Sequence, residues 1–297
     1  MARQLTYEQR IALINKWKTP PGASEQLRLD RAERMVKQAV LRHEPFQELD
    51  ITVASKGSYP NNTNVRGDSD VDIMVKLNAP FHTDGGWFAP QARYAGLWTW
   101  QKFRQEVEDA LTNHFGWVDT DHNLAVYVPE VVSSRPSIDV VPCFKWVASL
   151  PGGEYVGSVV YGRDGKPVIN WPELQLANGR TKNNNTNYRY KFVVRVLKNV
   201  ENDLASEGVI KALPSYFSEC LIYNVPNDVL LLDGSLDAVV RASLQEIYGQ
   251  LTGAWFSYLR MVEPNEIKKV FGEGQKWTQK DARELIERAW YYLNYES

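Results

Sequence analysis

Alternating hydrophobic and polar positions dominate the first half of the chain, whereas helical spacing dominates the second half. A period of two predicts strands, and a period near 3.6 predicts helices. The predicted strands cover 49–54, 70–75, 136–143, 155–161 and 167–170, and a further strand lies within 118–129, where Leu124, Val126 and Val128 alternate. The predicted helices cover 6–18, 24–43, 97–115, 188–202, 214–224, 229–251 and 279–295. The sequence therefore predicts an α+β fold that becomes mainly helical after a boundary near residue 172.

Capping residues mark the starts of two predicted helices, and breaking residues mark a predicted loop. The long N-terminal helix follows a Pro-Pro-Gly stretch, and Ser24 is its predicted N-cap, because a serine oxygen can accept from the unpaired amides of the first turn. This helix is long enough to cross the molecule as a spine. Thr186 or Asn187 is the predicted N-cap of the helix that starts at 188. Residues 80–96, rich in glycine, proline and aromatic residues, predict a surface loop.

Two aspartates, Asp70 and Asp72, open a strand whose next residues, Ile73–Val75, are apolar. Side chains at i and i+2 of a strand share one face, so these two carboxylates are neighbours and repel each other. A divalent cation relieves that repulsion, and hard oxygen ligands suit Mg²⁺. A lone Asp-x-Asp is also common in loops, so the pattern alone leaves both interpretations open. We assign Asp68, which directly follows a glycine, to the preceding turn.

A third carboxylate, Asp139, stands between Ile138 and Val140 in a later apolar strand. A buried and unpaired charge is costly, so an aspartate in such a strand needs a partner. A cross-strand salt bridge or an edge position would provide one. Alternatively, Asp139 completes a two-metal site with the Asp-x-Asp pair, and we favour this hypothesis because three acidic residues on adjacent strands require a cation.

The turn at Gly57-Ser58 precedes the aspartate strand. It offers backbone N–H groups and a hydroxyl, which are the groups that bind phosphate in many proteins. Carboxylates that bind a metal, placed next to a phosphate-binding turn, indicate phosphoryl or nucleotidyl transfer.

Composition limits the classes of function. The formal net charge is −2, which argues against strong binding of duplex nucleic acid. Cys143 and Cys220 both lie in apolar runs and are predicted to be buried free thiols, while the four scattered histidines predict no zinc cluster. No apolar run approaches the length of a membrane span, and the first residues do not resemble a signal peptide, so we expect a cytoplasmic protein with no membrane partner.

The Gly-Ser turn, the Asp-x-Asp strand and the single strand aspartate resemble the motif of the polymerase β-type nucleotidyltransferase superfamily. Further stretches narrow the resemblance: Ile169–Pro172, Asn178-Gly179, Lys182-Asn183, Tyr190–Lys198, Leu213–Glu219 and the spine helix after Trp17. Together they resemble the bacterial cGAS/DncV-like nucleotidyltransferases, or CD-NTases, and most nearly the CdnE-like branch.

The resemblance implies a nucleotidyltransferase core with the spine helix at 1–171 and a helical lobe at 172–297, with a deep pocket between them. It implies an enzyme that joins two or three ribonucleoside triphosphates into a cyclic oligonucleotide, and we expect a cyclic dinucleotide. The expected substrates are ATP and UTP or another pyrimidine nucleotide, while a purine-only product remains open. Cyclic UMP-AMP and cyclic di-UMP are examples of the expected product. The product would activate a separate effector in antiphage (CBASS) defence.

The same resemblance assigns roles to individual residues. Asp70, Asp72 and Asp139 would be catalytic and would bind two Mg²⁺ ions, with Mn²⁺ able to substitute. Gly57 and Ser58 would bind the terminal phosphates of the donor triphosphate.

Four further residues receive a role from their family position, and each has a structural alternative. Lys198 would reach the triphosphate, or it is a solvated lysine. Ser215 would also touch phosphate, or it caps the helix after Pro214. Tyr216 would stack on a base, or it packs in the core. Asn170 would pair with a uracil edge, or it is a turn asparagine before Trp171.

Animal homologues sense DNA through a zinc-bearing insertion, and this chain has no Cys/His cluster for one, so we expect no DNA activation. Two other functions remain open at this stage. One is transfer of a single nucleotide to a protein, a small molecule or an RNA end. The other is a non-catalytic nucleotide-binding regulator, against which the three aspartates and Ser58 argue.

Overall fold

A computed structural model of the chain describes residues 3–65, 71–83 and 98–295. It divides the chain into two compact units. The sheet unit comprises Gly22–Pro60 and Gly67–Glu173, and the helical unit comprises Met1–Pro21, Asn61–Arg66 and Leu174–Ser297. The division near residue 173 lies close to the predicted boundary. The predicted ranges 1–171 and 172–297 differ from these units because the first 21 residues and the short segment at 61–66 group with the helices.

The sheet unit is built on one mixed sheet. Its strands are β1 (Ile51–Ser55), β2 (Val71–Thr83), β3 (Val126–Val128), β4 (Ile138–Leu150), β5 (Gly153–Tyr161) and β6 (Pro167–Asn170). The strand order is β1-β2-β4-β5-β6, and β3 pairs with β4. β2 and β4 are parallel, whereas the other neighbours are antiparallel.

One face of this sheet packs against α2 (Ala23–Arg42) and α3 (Trp100–Phe115). The β2 residues Val71, Ile73 and Val75 point to this face and are fully buried. Alternation along the strand therefore leaves the residues at even positions on the opposite face. A short 3-10 turn, Glu44–Phe46, follows α2.

Three predictions for the sheet unit are wrong in detail. α2 begins one residue before Ser24, because the first-turn amides donate to the carbonyl of Gly22, which is the N-cap and makes no side-chain bond. β2 continues to Thr83, beyond the start of the loop predicted over 80–96, because pairing with β4 resumes after an irregularity. The strand predicted within 118–129 is present but shorter than the alternation from Leu124 suggested, because β3 covers only Val126–Val128 and Asp119 pairs with Tyr127 in an isolated bridge.

The helical unit surrounds a core of its own. Its helices are α1 (Tyr7–Trp17), α4 (Pro172–Asn185), α5 (Arg189–Ser206), α6 (Tyr216–Tyr223), α7 (Asn227–Leu230), α8 (Leu236–Thr252) and α9 (Gln279–Tyr292), with a 3-10 turn at Ala254–Arg260. α5 contributes the largest buried stretch to this core, including Tyr190, Val194 and Val200.

Two helix predictions in this unit are corrected. The helix predicted over 229–251 is two helices, because Gly234 has a φ of 118° and Ser235 caps α8 by accepting from Ala238. α5 begins at Arg189, since Tyr188 adopts a left-handed conformation. The Thr186 hydroxyl nevertheless accepts from the Tyr190 amide at 3.2 Å, so it performs part of the predicted capping role.

The predicted α+β class is confirmed by the mixed sheet and the helices around it. Within the described ranges, no helix combines the length and the apolar character that a membrane span requires.

Candidate active site

β2 and β4 place two of the predicted carboxylates side by side. Their parallel register sets Asp72 of β2 directly opposite Asp139 of β4. Both side chains point to the face of the sheet that α2 and α3 do not cover, because their neighbours Ile73 and Val140 belong to the core on the covered face. The structure thus places two predicted metal ligands on adjacent strands.

The third predicted ligand, Asp70, and the nearby Asp68 lie outside the described residues. Among the residues that the structure describes, no group of three or more histidine, cysteine, aspartate or glutamate side chains could hold a metal ion. Asp72 and Asp139 contribute two such ligands, and both present oxygen atoms only. This donor set fits Mg²⁺ or Mn²⁺ rather than a soft metal.

The Gly57-Ser58 turn lies against one of these carboxylates. Gly57 has a φ of 75°, and a Cβ atom at this position would stand 3.0 Å from Oδ2 of Asp72. Glycine adopts this conformation without strain, whereas an added Cβ atom would force the turn or the carboxylate to move. The next residue, Ser58, is half-buried.

Sequence reasoning missed Lys56, which lies next to the carboxylate pair. Its backbone N–H donates to the carbonyl of Asp72 at 2.9 Å, which extends the β1–β2 register by one position. Ala54, two residues earlier, packs on the same side as Met74. Alternation therefore places Lys56 on the face of Asp72, and the same alternation in the sequence would have revealed this cation.

A cluster of apolar residues lies on the same face of the sheet as the aspartates. It consists of Met74, Ala125, Val141, Cys143 and Val160. Burial raises the pKa of the Cys143 thiol to about 12, so the thiol stays protonated at neutral pH. The prediction that both cysteines are buried free thiols is confirmed.

Asn170 lies on the same face of the sheet as the aspartates. It pairs with Ser158 of β5, and Ser158 pairs with Lys145 of β4, which is six residues after Asp139 and shares its face. Asn170 therefore ends β6 and is not a turn residue, so that alternative is wrong. Its contact with a base remains a prediction.

Two contacts constrain the chain around Asn170. A Cβ atom on Gly157 would stand 2.5 Å from the Asn170 carbonyl oxygen and 2.8 Å from Cδ1 of Trp171, so β5 can approach this segment only with glycine there. Lys76 of β2 also forms an ion pair with Glu173, the last residue of the sheet unit. No local pattern in the sequence predicts this ion pair.

Three cations follow one face of α5 in the helical unit. Lys191, Arg195 and Lys198 are spaced i, i+4 and i+7, and they are 7%, 2% and 1% exposed. The alternative that Lys198 is a solvated lysine is therefore wrong. Burial lowers the pKa of Lys191 to about 8, although the negative charge of Glu219 acts in the opposite direction.

This lowered pKa predicts a stability that depends on pH. Between about pH 8 and pH 10, the folded chain releases the Lys191 proton while the unfolded chain keeps it, so the free energy of unfolding rises with pH. Lys191→Met should weaken this rise in urea unfolding measured at several pH values. Lys280→Met, at an exposed position of α9, should leave it unchanged. An equal rise in the Lys191→Met variant would contradict the buried charge.

Ser215 and Tyr216 stand at the start of α6. Ser215 is the N-cap residue, but its side chain makes no capping hydrogen bond. The Tyr216 hydroxyl donates to Glu263 at 3.2 Å, and its ring lies edge-on to Trp277 at a centroid distance of 6.4 Å. The core-packing alternative thus describes part of the Tyr216 environment, while base stacking remains a prediction.

Comparison with known proteins identifies the family. Residues 177–294 match the family model of the cGAS/DncV-like nucleotidyltransferase C-terminal helical domain. The chain is 33% identical over 292 residues to the cyclic dipyrimidine nucleotide synthase CdnE of Legionella pneumophila, covering 94% of this chain and 96% of the relative. It is 32% identical over 296 residues to a cyclic dipurine nucleotide synthase of Elizabethkingia meningoseptica, covering 96% and 98%.

A solved structure shares the fold over nearly the whole length. The Rhodothermus marinus CdnE c-UMP-AMP synthase with Apcpp and Upnpp has a TM-score of 0.80 and 26% identity, covering 97% of each chain. The predicted family resemblance is thereby confirmed. The carboxylate pair, the turn beside it and these relatives together establish that the chain is a nucleotidyltransferase of the CD-NTase family and belongs to its CdnE-like cyclic dinucleotide synthases.

Proposed function

We propose that the enzyme joins two ribonucleoside triphosphates into a cyclic dinucleotide by two-metal nucleotidyl transfer. The observation that carries this proposal is the register pairing of Asp72 with Asp139, next to the positive-φ turn at Gly57. Two carboxylates that share one face of adjacent strands offer the hard oxygen ligands that a divalent cation prefers. The turn beside it is suited to bind the phosphates of the substrate.

Asp70 and Asp72 would hold the metal that carries the donor triphosphate, and Asp139 would share the second ion. When bound, the two Mg²⁺ ions lower the pKa of the attacking hydroxyl and neutralise charge on the leaving pyrophosphate. Asp139 would help the acceptor ribose hydroxyl to lose its proton. The oxygen of that hydroxyl then forms a bond to the donor α-phosphorus as the bond to pyrophosphate breaks, and a second such step closes the ring.

The phosphates of the donor need groups that approach them closely. Ser58 would bind them through its hydroxyl and backbone N–H, since Gly57 lets the chain turn sharply at this point. Lys198 and Ser215 would contribute further phosphate contacts, and Tyr216 would stack on a base.

Asn170 is the residue that we propose to select a base of the product. Relatives of similar identity make either dipyrimidine or dipurine products, so overall identity does not determine the base. An amide at the end of β6, on the face of the aspartates, can both donate to and accept from a uracil edge. We therefore propose UTP as one substrate and ATP or a second UTP as the other.

Asn170→Ser tests this assignment. The variant should lose at least about tenfold in kcat/KM for UTP, since it removes a paired donor and acceptor, and it should keep its kcat/KM for ATP. Initial rates with each triphosphate alone and in pairs measure the preference. Asn178→Ser, on α4, is the control for an asparagine outside the sheet. Unchanged UTP use in Asn170→Ser would contradict the role.

We further propose that the product is a second messenger of antiphage (CBASS) signalling and that it reaches a separate effector. Membership of the CD-NTase family supports this proposal. The slightly acidic chain supports activation without DNA, because duplex binding depends on positive charge.

The experiment that tests the function is an incubation of the purified enzyme with all four ribonucleoside triphosphates and Mg²⁺ or Mn²⁺. The products are treated with phosphatase and analysed by mass spectrometry. A phosphatase-resistant product with the mass of two linked nucleotides, absent from the Asp139→Asn variant, is expected. A product that is linear, or attached to a protein, a small molecule or an RNA end, would contradict the proposal.

A further inference from the structure

The segment that connects the Gly57-Ser58 turn to β2 is held by the helical unit. This connecting segment, Asn61–Val65, begins three residues after Ser58 and groups with the helices. Asn61, Thr63 and Val65 are 1%, 0% and 2% exposed, although the segment has no regular secondary structure. A loop buried to this extent needs partners for its polar groups.

Glu219 of α6 supplies two of those partners. Nδ2 of Asn61 donates to one carboxylate oxygen, and Oγ1 of Thr63 donates to the other at 2.8 Å. Glu219 is itself only 1% exposed, so both bonds are made to a buried charge. Hydrogen bonds of this kind are stronger than neutral ones. One side chain therefore fixes two residues of the connecting segment.

Two other helices complete the contacts of the segment. Arg195 of α5 donates to the backbone carbonyl of Asn62, whose φ of 53° is unusual for a residue other than glycine. Gly179 of α4 leaves room for Asn61, because a Cβ atom there would stand 3.0 Å from Oδ1 of Asn61. The conformation of the segment is therefore determined by contacts with α4, α5 and α6.

The positive charge of Lys191 favours a carboxylate at position 219. The attraction between Glu219 and Lys191 opposes the effect of burial on that lysine. A hydrophobic residue at 219 would leave Asn61 and Thr63 without their acceptor, at the cost of two buried unsatisfied donors.

The position of these bonds along the chain points to a role in catalysis. Thr63 lies five residues after Ser58 and nine before Asp72, so the connecting segment leads from the phosphate-binding turn to the strand that carries the metal ligand. A displacement of about 1 Å in a positioning element can cost about a hundredfold in rate. We infer that Glu219 is a positioning residue, which holds the connecting segment through Asn61 and Thr63 and thereby places Ser58. This inference rests on the proposed role of Ser58.

Two variants of Thr63 separate the hydrogen bond from the packing. Thr63→Val keeps the shape but removes the hydroxyl, and it should lower kcat/KM at least about tenfold. Thr63→Ser keeps the hydroxyl and should stay within about threefold of wild type. Glu219→Gln can accept from Asn61 and donate to Thr63, so it should also stay within about threefold. Glu219→Leu should lose more activity than Thr63→Val.

A double-mutant cycle with Ser58→Ala distinguishes positioning from mere stabilisation. If Glu219 and Thr63 act through Ser58, Thr63→Val should have little further effect on kcat/KM in the Ser58→Ala background. Effects that multiply independently, or a Thr63→Val enzyme that unfolds at a lower temperature but keeps its kcat/KM, would overturn the inference. A fully active Ser58→Ala enzyme would instead overturn the proposed role of the turn, so the two failures are distinguishable.

Discussion

Asp72→Asn should lower the rate of nucleotidyl transfer by at least about a thousandfold, because a bound metal ion provides several kcal/mol of transition-state stabilisation and each 1.36 kcal/mol is worth about tenfold. The substitution keeps the size of the side chain but replaces a charged ligand with a neutral one. Asp139, which stands opposite it in the β2–β4 register, cannot hold both ions alone. Initial rates of pyrophosphate release at saturating Mg²⁺ measure the loss.

Mg²⁺ should raise the unfolding temperature of the wild type, and the same variant should lose this rise. A ligand that binds only the folded state stabilises it by RT ln(1 + [L]/Kd), so a site that no longer binds the ion gives no stabilisation. Asp121→Asn is the matched control, since this aspartate is exposed and belongs to the same unit. A variant at Asp72 that keeps wild-type rates, or that keeps the Mg²⁺-dependent rise, would show that the carboxylate pair does not bind the metal.

Gly57→Ala should lower kcat/KM by about a hundredfold, for a reason that is separate from backbone strain. The added Cβ atom would stand 3.0 Å from Oδ2 of Asp72, so either the turn or the carboxylate must move. Displacement of a reacting group by about 1 Å is sufficient for a loss of this size. The measurement is steady-state kinetics at temperatures where the variant is folded, as monitored by circular dichroism.

Gly165→Ala is the matched control, because Gly165 has a φ of 76°, against 75° for Gly57. The nearest atom to its added Cβ would be Cζ2 of Trp100 at 3.8 Å, an ordinary contact. Both variants should lose about 1–2 kcal/mol of stability from the left-handed conformation. Only Gly57→Ala should lose activity. Equal activity in the two variants would show that the contact with Asp72 has no catalytic consequence.

The sequence was sufficient to predict the chemical character of the site. Three aspartates in apolar strands and a Gly-Ser turn already indicated nucleotidyl transfer, because local alternation determines which side chains share a face. The placement of Asp72 beside Asp139 agreed with that expectation. The position of Lys56 also depends on a local pattern, because the strand alternation from Ala54 places Lys56 on the same face as Asp72.

Other features could not be predicted because they depend on contacts between distant parts of the chain. Asn61 and Glu219 are separated by 158 residues, and neither stands out in its local pattern. The ion pair between Lys76 and Glu173 joins positions 97 residues apart. Such pairs are determined by how the elements pack, which a single sequence does not reveal.

Errors in helix boundaries had local causes. Ser24 looked like a better cap than Gly22, because propensity ranks serine above glycine, but the backbone carbonyl of Gly22 determined where the first turn closed. The break before α8 carries a clear signal, since Asp233-Gly234-Ser235 combines turn residues with a capping serine. Apolar residues at helical spacing continue on both sides of this turn, so the pattern predicted a single helix.

The measurement that tests the central claim most directly is a count of bound Mn²⁺ ions by electron paramagnetic resonance, in the presence of a non-hydrolysable triphosphate. If Asp70, Asp72 and Asp139 form a two-metal site, wild type should bind two Mn²⁺ ions per chain. Asp70→Asn, Asp72→Asn and Asp139→Asn should each bind fewer or bind more weakly, while Asp121→Asn should match wild type. Equal number and affinity of bound ions in wild type and in the three site variants would contradict the claim that these carboxylates form the catalytic centre.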